Sequence, residues 1–145
     1  MNTIEKIQQW GDQHHPKWLD YFRIALGIVL VWKGVAFYLN MEAFTGLMNQ
    51  ASMGTAAGIS LLAHLIIVLH VFGGALIALG SRTRICCLLN IPVLIGAMVF
   101  INFNHEIFRP YAEVWLSCLV LAGLICFAIE GDGILSIENE KTPLR

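Results

Sequence analysis

Charge is scarce in this sequence. Asp, Glu, Lys and Arg make up 13% of its 145 residues, while 57% are hydrophobic. A soluble domain of this size is excluded, because too few polar residues remain to coat it and large exposed apolar patches drive soluble proteins together. The net charge is only −1 at pH 7, so there is no basic footprint, and nucleic acid is excluded as a partner. Paired cysteines are also missing. Cys86, Cys87, Cys118 and Cys126 form no C-x-x-C motif, and three of them fall toward the side expected to be cytoplasmic and reducing. That removes the exposed outer pair a quinone-reducing thiol enzyme would use, and these residues read as small apolar packing groups. The chain has no glycine-rich phosphate loop, nucleophile elbow or zinc motif. The segment Met1 to Pro16 carries Glu5, Asp12, His14 and His15 and lacks the apolar core of a secretory signal, so it is expected to be retained.

What is present is four long apolar runs, at roughly 21–39, 55–80, 85–103 and 112–129. Each is close to the length of about 20 residues that crosses the hydrocarbon of a bilayer as a helix. The expected fold is all-α: an integral membrane four-helix bundle occupying 19–130. A cytoplasmic interfacial segment, 1–18, precedes it and a cytoplasmic tail, 131–145, follows. Lys6, Lys17, Arg82, Arg84, Lys141 and Arg145 share one side of this arrangement and only Arg109 lies on the other. Positive loops stay in the cytoplasm, which sets both termini inside. Two short interfacial helices are expected. Ile4, Ile7 and Trp10 recur at helical spacing in the first, and Met41, Phe44, Leu47 and Met48 in the second, with Asn40 as its N-cap. Trp18, Tyr21, Tyr38, Tyr111 and Trp115 sit near helix ends, where an aromatic belt belongs. Arg23, near the cytoplasmic mouth of the first span, is expected to snorkel to lipid phosphates. Pro92 interrupts the third span, and Gly73 with Gly74 permits close helix packing in the second.

Polar residues inside a low-dielectric slab are the informative ones, since each costs free energy unless paired or wet. Lys33, His64, His70 and Asn90 lie within spans, while Asn102, Asn104, His105, Glu106, Arg109 and Glu113 gather at the outer ends of the third and fourth. From these, Lys33, His64, His70, Asn102, His105 and Glu106 are the candidate ligand-binding residues. Imidazole, ammonium and amide groups can bond the oxygens of a quinone-like head group and exchange protons with it. The competing reading is structural: Lys33 snorkels to outer head groups and each histidine bonds a neighbouring helix. His64 and His70 are six residues apart, about 120° around a helix, so a metal or haem site made by this helix alone is not expected.

The motifs resemble the DoxX family of small bacterial four-helix membrane proteins, from about Trp18 to Glu138. The first span carries Arg23, Gly27 and Gly34 in RIALGIVLVWKG, similar to the family's R-x-x-x-G…G pattern. The second ends HVFGGALIALGSRTR, similar to paired glycines followed by G-x-x-T-R. The chain leaves the fourth through EGDGILSIE, which resembles G-x-G-x-x-S-x-D. His70 stands where the family often has an acidic residue, Lys33 where His is common and Phe37 where Lys is common. The resemblance implies a multi-pass protein of the bacterial inner membrane. Relatives include a subunit of thiosulfate:quinone oxidoreductase and components of membrane redox complexes. The functional expectation is therefore a quinone-linked or redox-associated subunit, an oxidoreductase component if it is catalytic at all. Its partners would be the lipid bilayer, redox subunits and copies of itself. The alternative is a non-catalytic membrane scaffold or assembly factor.

Overall fold

A computed structural model of the chain describes residues 2–3, 5–6, 16–50, 54–99, 112–133 and 135–137. Every regular element among them is helical. Helix α1 spans Lys17–Leu39, α2 Met41–Gln50, α3 Ala56–Leu79, α4 Thr83–Ala97 and α5 Ala112–Glu130. Of the opening segment, Thr3, Glu5 and Lys6 are helical, with the Lys6 N–H donating to Asn2 O at 3.1 Å. Ile4, Ile7 and Trp10 lie outside the described residues.

Helix boundaries follow local chemistry. Pro16 precedes α1, where its missing N–H costs nothing. Thr55 caps α3 by accepting the Gly58 N–H at 3.3 Å. Asn40 behaves differently from the expectation. Its side-chain amide donates to Ala36 O at 3.0 Å, so it closes the end of α1 instead of capping the start of α2. Its backbone carbonyl then accepts from Phe44 N–H, which passes the chain into α2 with almost no loop. Gly80 ends α3 at φ +70°, the left-handed conformation that glycine adopts without a side-chain penalty.

α3 is not uniform. It is α-helical over Ala56–Val68 and Gly74–Leu79, with a π-helical turn at Leu69–Gly73 between them. α1 packs chiefly on the part of α3 from this turn onward, and α4 packs on α5. Glycine makes the α1–α3 contact intimate. A Cβ on Gly27 would stand 2.5 Å from Gly74 O, and one on Gly34 would stand 2.9 Å from the His70 Cβ. Close approach of this kind lets helices associate through backbone packing where hydrocarbon supplies no hydrophobic drive.

The main core draws on α1, α3, α4 and α5: Leu26 and Leu30, Ile77, Cys86 and Cys87, then Val120, Leu124 and Phe127. Cys86 and Cys87 are thus the packing groups the sequence suggested, whereas Cys118 is exposed. A second cluster joins Phe44 and Met48 of α2 to Ile59 and Ala63 of α3.

The exterior is the inverse of a soluble protein. On α3, Leu61, Leu65, Val68, Phe72, Leu76 and Leu79 form one outward stripe at helical spacing, with Leu61 74% exposed. Similar stripes run along α1 through Tyr21, Ile28, Trp32 and Val35, along α4 through Ile85, Leu88 and Ile95, and along α5 through Trp115, Leu119 and Ile125. Only 28% of the most apolar window of α1, and the same share for α3, is buried, and both helices are long and apolar enough to cross a membrane. A core helix of a soluble protein would be mostly buried. The shorter apolar helices among the described residues are Thr83–Ala97 and Trp115–Glu130.

Candidate functional site

Two polar centres interrupt this apolar structure. The first lies where α1 begins, α3 ends and the chain leaves α5. Asp20 and Arg23 are one turn apart on α1, both completely buried, with Arg23 Nη1 3.0 Å from Asp20 Oδ1. They hold the two sides of one residue. The Leu135 N–H donates to Asp20 Oδ2 at 3.0 Å, and Arg23 Nη2 donates to Leu135 O at 3.0 Å. Arg23 therefore does not snorkel to lipid phosphates. Its charge is matched inside the fold, because Asp20 stands one turn before it and a carbonyl of the exit segment reaches it.

The same centre contains both glycine-rich motifs. The Thr83 N–H, at the start of α4, donates to Asp132 Oδ1 at 2.7 Å. A carboxylate there both accepts an orphan N–H and meets the positive end of the helix. Arg84 Nη2 donates to Ile129 O at 3.4 Å. Gly131, at φ +86°, passes so close to Arg84 that an added Cβ would lie 2.9 Å from its Nε. A Cβ on Gly80 would meet Ser136 at 2.7 Å and the Arg23 guanidinium carbon at 2.9 Å. This centre is a clasp that fixes the exit segment to α1 and α4. It leaves no room at these glycines for anything larger.

The second centre lies midway along α3. His70, within the π turn, is buried at 5% exposure, and its Nδ1 is 3.0 Å from Ile66 O. Phe37 of α1 meets the imidazole edge-on, with centroids 5.8 Å apart, and stacks on Phe44 of α2 at 4.5 Å and 7°. Across the α3–α4 contact, the Asn90 amide donates to Leu69 O at 3.3 Å, and within its own helix it donates to Cys86 O at 2.9 Å. Gly73 permits this approach, since a Cβ there would stand 2.7 Å from Asn90 Nδ2.

The candidate residues are not all brought to one place. His70 joins Phe37 and the π turn in the interior. Lys33 is half-buried on α1 beside Gly34, with its ammonium 5.5 Å from the ring centroid of exposed Trp32. His64 is exposed next to the outward stripe of α3, its Nδ1 2.7 Å from Ser60 O of its own helix. Asn102, His105 and Glu106 lie outside the described residues. Among the described residues no group of three His, Cys, Asp or Glu side chains could hold a metal ion.

Sequence reasoning missed Asp20, Thr83 and Asp132. Arg23, Gly80 and Gly131 each belong to one of three family-like motifs, and the structure shows these motifs converging. That convergence was the available signal. Asp20 carried none, because a lone acidic residue at a helix start reads as solvated.

An all-helical chain that turns large apolar side chains outward along every long helix, and buries its ion pair, is a helical membrane protein. The DoxX family model matches residues 19–102, more than half of the chain. The protein belongs to the DoxX family, a family of membrane proteins. No curated protein and no solved structure matches it.

Proposed function

We propose that the chain crosses a bacterial inner membrane four times as a helical bundle, with both termini cytoplasmic. We further propose that it serves as a quinone-linked or redox-associated subunit, binding a small aromatic head group among its helices. The observation that carries the ligand reading is His70: a buried imidazole with one nitrogen anchored to Ile66 O, set against the Phe37–Phe44 stack at a π turn. Single-turn π segments occur frequently at functional sites, because they break the regular hydrogen-bond ladder. An ionisable side chain in a membrane interior is a functional candidate by default. Lys33 stands one residue from Gly34, which packs directly on His70, so it is the nearest cationic candidate. The proposed site also includes Asn102, His105 and Glu106, which lie outside the described residues, and quinone is the cofactor the reading implies.

Orientation is supported by the clasp. It gathers Lys17, Arg23, Arg82 and Arg84 at one end of the helices, the positive end that remains cytoplasmic.

Mass spectrometry and an absorbance spectrum of gently purified protein test the reading. A stoichiometric co-purifying quinone supports it, whereas lipid alone in repeated preparations sinks it. A second reading, a membrane scaffold or assembly factor, is favoured by the clasp itself, whose hydrogen bonds tie the exit segment to α1 and α4. Under that reading membrane partner proteins co-purify and quinone does not.

A further inference from the structure

The π turn Leu69–Gly73 divides α3, and the packing divides at the same place. After the turn, Ile77 belongs to the main core with Leu26, Cys87 and Leu124, and Gly74 lies against Gly27 of α1. Before it, Ile59 and Ala63 belong to the second cluster with Phe44 and Met48 of α2, bordered by Phe37 of α1. Among the described residues, neither cluster draws on both sides of the turn. α2 and the first 13 residues of α3, Ala56–Val68, therefore share a core apart from the main one. At its other end this unit meets α1 at Asn40, whose backbone leaves the helical region with φ −118° and ψ 41°.

One side chain of α4 touches both ends of the turn. The Asn90 amide donates at 3.3 Å to the carbonyl of Leu69, the residue that opens it. It also lies against Gly73, the residue that closes it, where an added Cβ would stand 2.7 Å from Nδ2. The same nitrogen donates to Cys86 O at 2.9 Å, one turn back on α4, which fixes the amide from behind. Oδ1 is buried with no partner among the described residues, on a side chain 1% exposed. A buried acceptor left unpaired costs free energy, so it is the donors that hold the amide in this position. π segments interrupt the regular hydrogen-bond ladder, and helices bend where that ladder is broken.

We infer that α2 and Ala56–Val68 form one unit hinged at the π turn, and that the Asn90 amide is the latch that holds the hinge closed against α4. With the latch released, the unit swings on the turn while the Gly27–Gly74 contact and the clasp stay in place. Phe44 travels with it, so the Phe37–Phe44 stack beside His70 parts. An arm of 13 residues is about 20 Å long, and a kink of about 20° at its base carries the tip through roughly 7 Å. The hinge is independent of whether a head group binds near His70.

Double electron–electron resonance on the full chain in lipid nanodiscs tests the hinge. Cys118, exposed on α5, carries one spin label, Cys126 is replaced by Ala, and the buried Cys86 and Cys87 are kept. The second label stands at Ala57→Cys, near the tip of the arm, or at Leu79→Cys, beyond the turn; both positions are exposed. With Asn90 intact, each pair should give one narrow distance. Asn90→Leu should add to the Ala57 pair a second population displaced by up to about 7 Å, and leave the Leu79 pair unchanged. Gly73→Ala, which pushes the amide off the turn with Asn90 in place, should do the same, and it carries the test if Asn90→Leu does not fold. No new population in either variant overturns the latch. Equal broadening of both pairs means that the whole bundle has loosened, and overturns the hinge. A second population already present with Asn90 intact shows the unit moving without release of the amide, and removes Asn90 from the device.

Discussion

Asp20 and Arg23 lie 3.0 Å apart with no solvent exposure, and between them they take the N–H and the carbonyl of a single residue, Leu135. A buried ion pair of this kind adds little over a well-packed apolar pair, but removing one member strands the other. Arg23→Met should therefore destabilise the protein by about 3–5 kcal/mol. Asp20→Asn should cost a comparable amount: the amide still accepts from Leu135 N–H, but the buried guanidinium loses its counter-charge. Thermal unfolding in detergent measures both, and an Arg23→Met protein as stable as the parent would contradict the clasp.

Gly27 allows α1 to rest on the backbone of α3. A methyl group there meets Gly74 O at 2.5 Å and Ala78 N at 2.6 Å, atoms that cannot move without parting the helices. Gly27→Ala should lower stability by about 1–3 kcal/mol, the usual cost of overpacking. Gly46 and Gly96 have nothing within 4 Å. Alanine at either should be neutral, or stabilising by up to about 1 kcal/mol through helix propensity. Equal losses at all three positions would mean that propensity or lipid packing, and not the α1–α3 contact, sets the effect.

His64 and His70 belong to the same helix and different surroundings. His70→Leu should abolish retention of a quinone-type ligand with the purified protein still folded. His64→Leu should leave retention intact, because its ring is exposed beside the outward stripe and anchored to Ser60 O. Loss at His64 with none at His70 would place the site on the outer surface of α3.

Sidedness is open to a direct check. Lys17 and Thr55 are both exposed, at opposite ends of α1 and α3. With Cys118→Ala to lower background, Lys17→Cys should resist a membrane-impermeant maleimide in intact cells and Thr55→Cys should react. The opposite pattern reverses the orientation. Ser136 is unsuitable for this purpose, being buried against Gly80.

Much of the architecture was visible before the structure. Apolar runs of span length need no tertiary information, and α1 and α3 fall where Tyr21 to Leu39 and Thr55 to Gly80 placed them, within a few residues. Glycine packing was foreshadowed at Gly73 and Gly74, whereas Gly27 and Gly34 stood out only as part of a family-like motif. The π turn was not foreseeable. One extra residue in a uniformly apolar helix leaves hydrophobic periodicity almost unchanged, yet it moves every later side chain around the axis. The 120° separation of His64 and His70 assumed a regular α-helix and ignored that turn. Nor could the sequence reveal that Arg23 grips a backbone carbonyl, because backbone partners leave no trace in side-chain pattern. Asn40 illustrates the same limit: an asparagine between two helices can serve either, and only geometry assigned it to the first.

The clasp also orders events during biosynthesis. Arg23 emerges from the ribosome with Asp20 already one turn away, but the carbonyl it holds belongs to a residue 112 positions later. Synthesis of α1, α3 and α4 must therefore proceed with this bond still open. Only when the chain has been made past Leu135 can the first helix be locked to the last. Chains stopped before that point would leave Asp20 and Arg23 without the N–H and the carbonyl that complete their bonding.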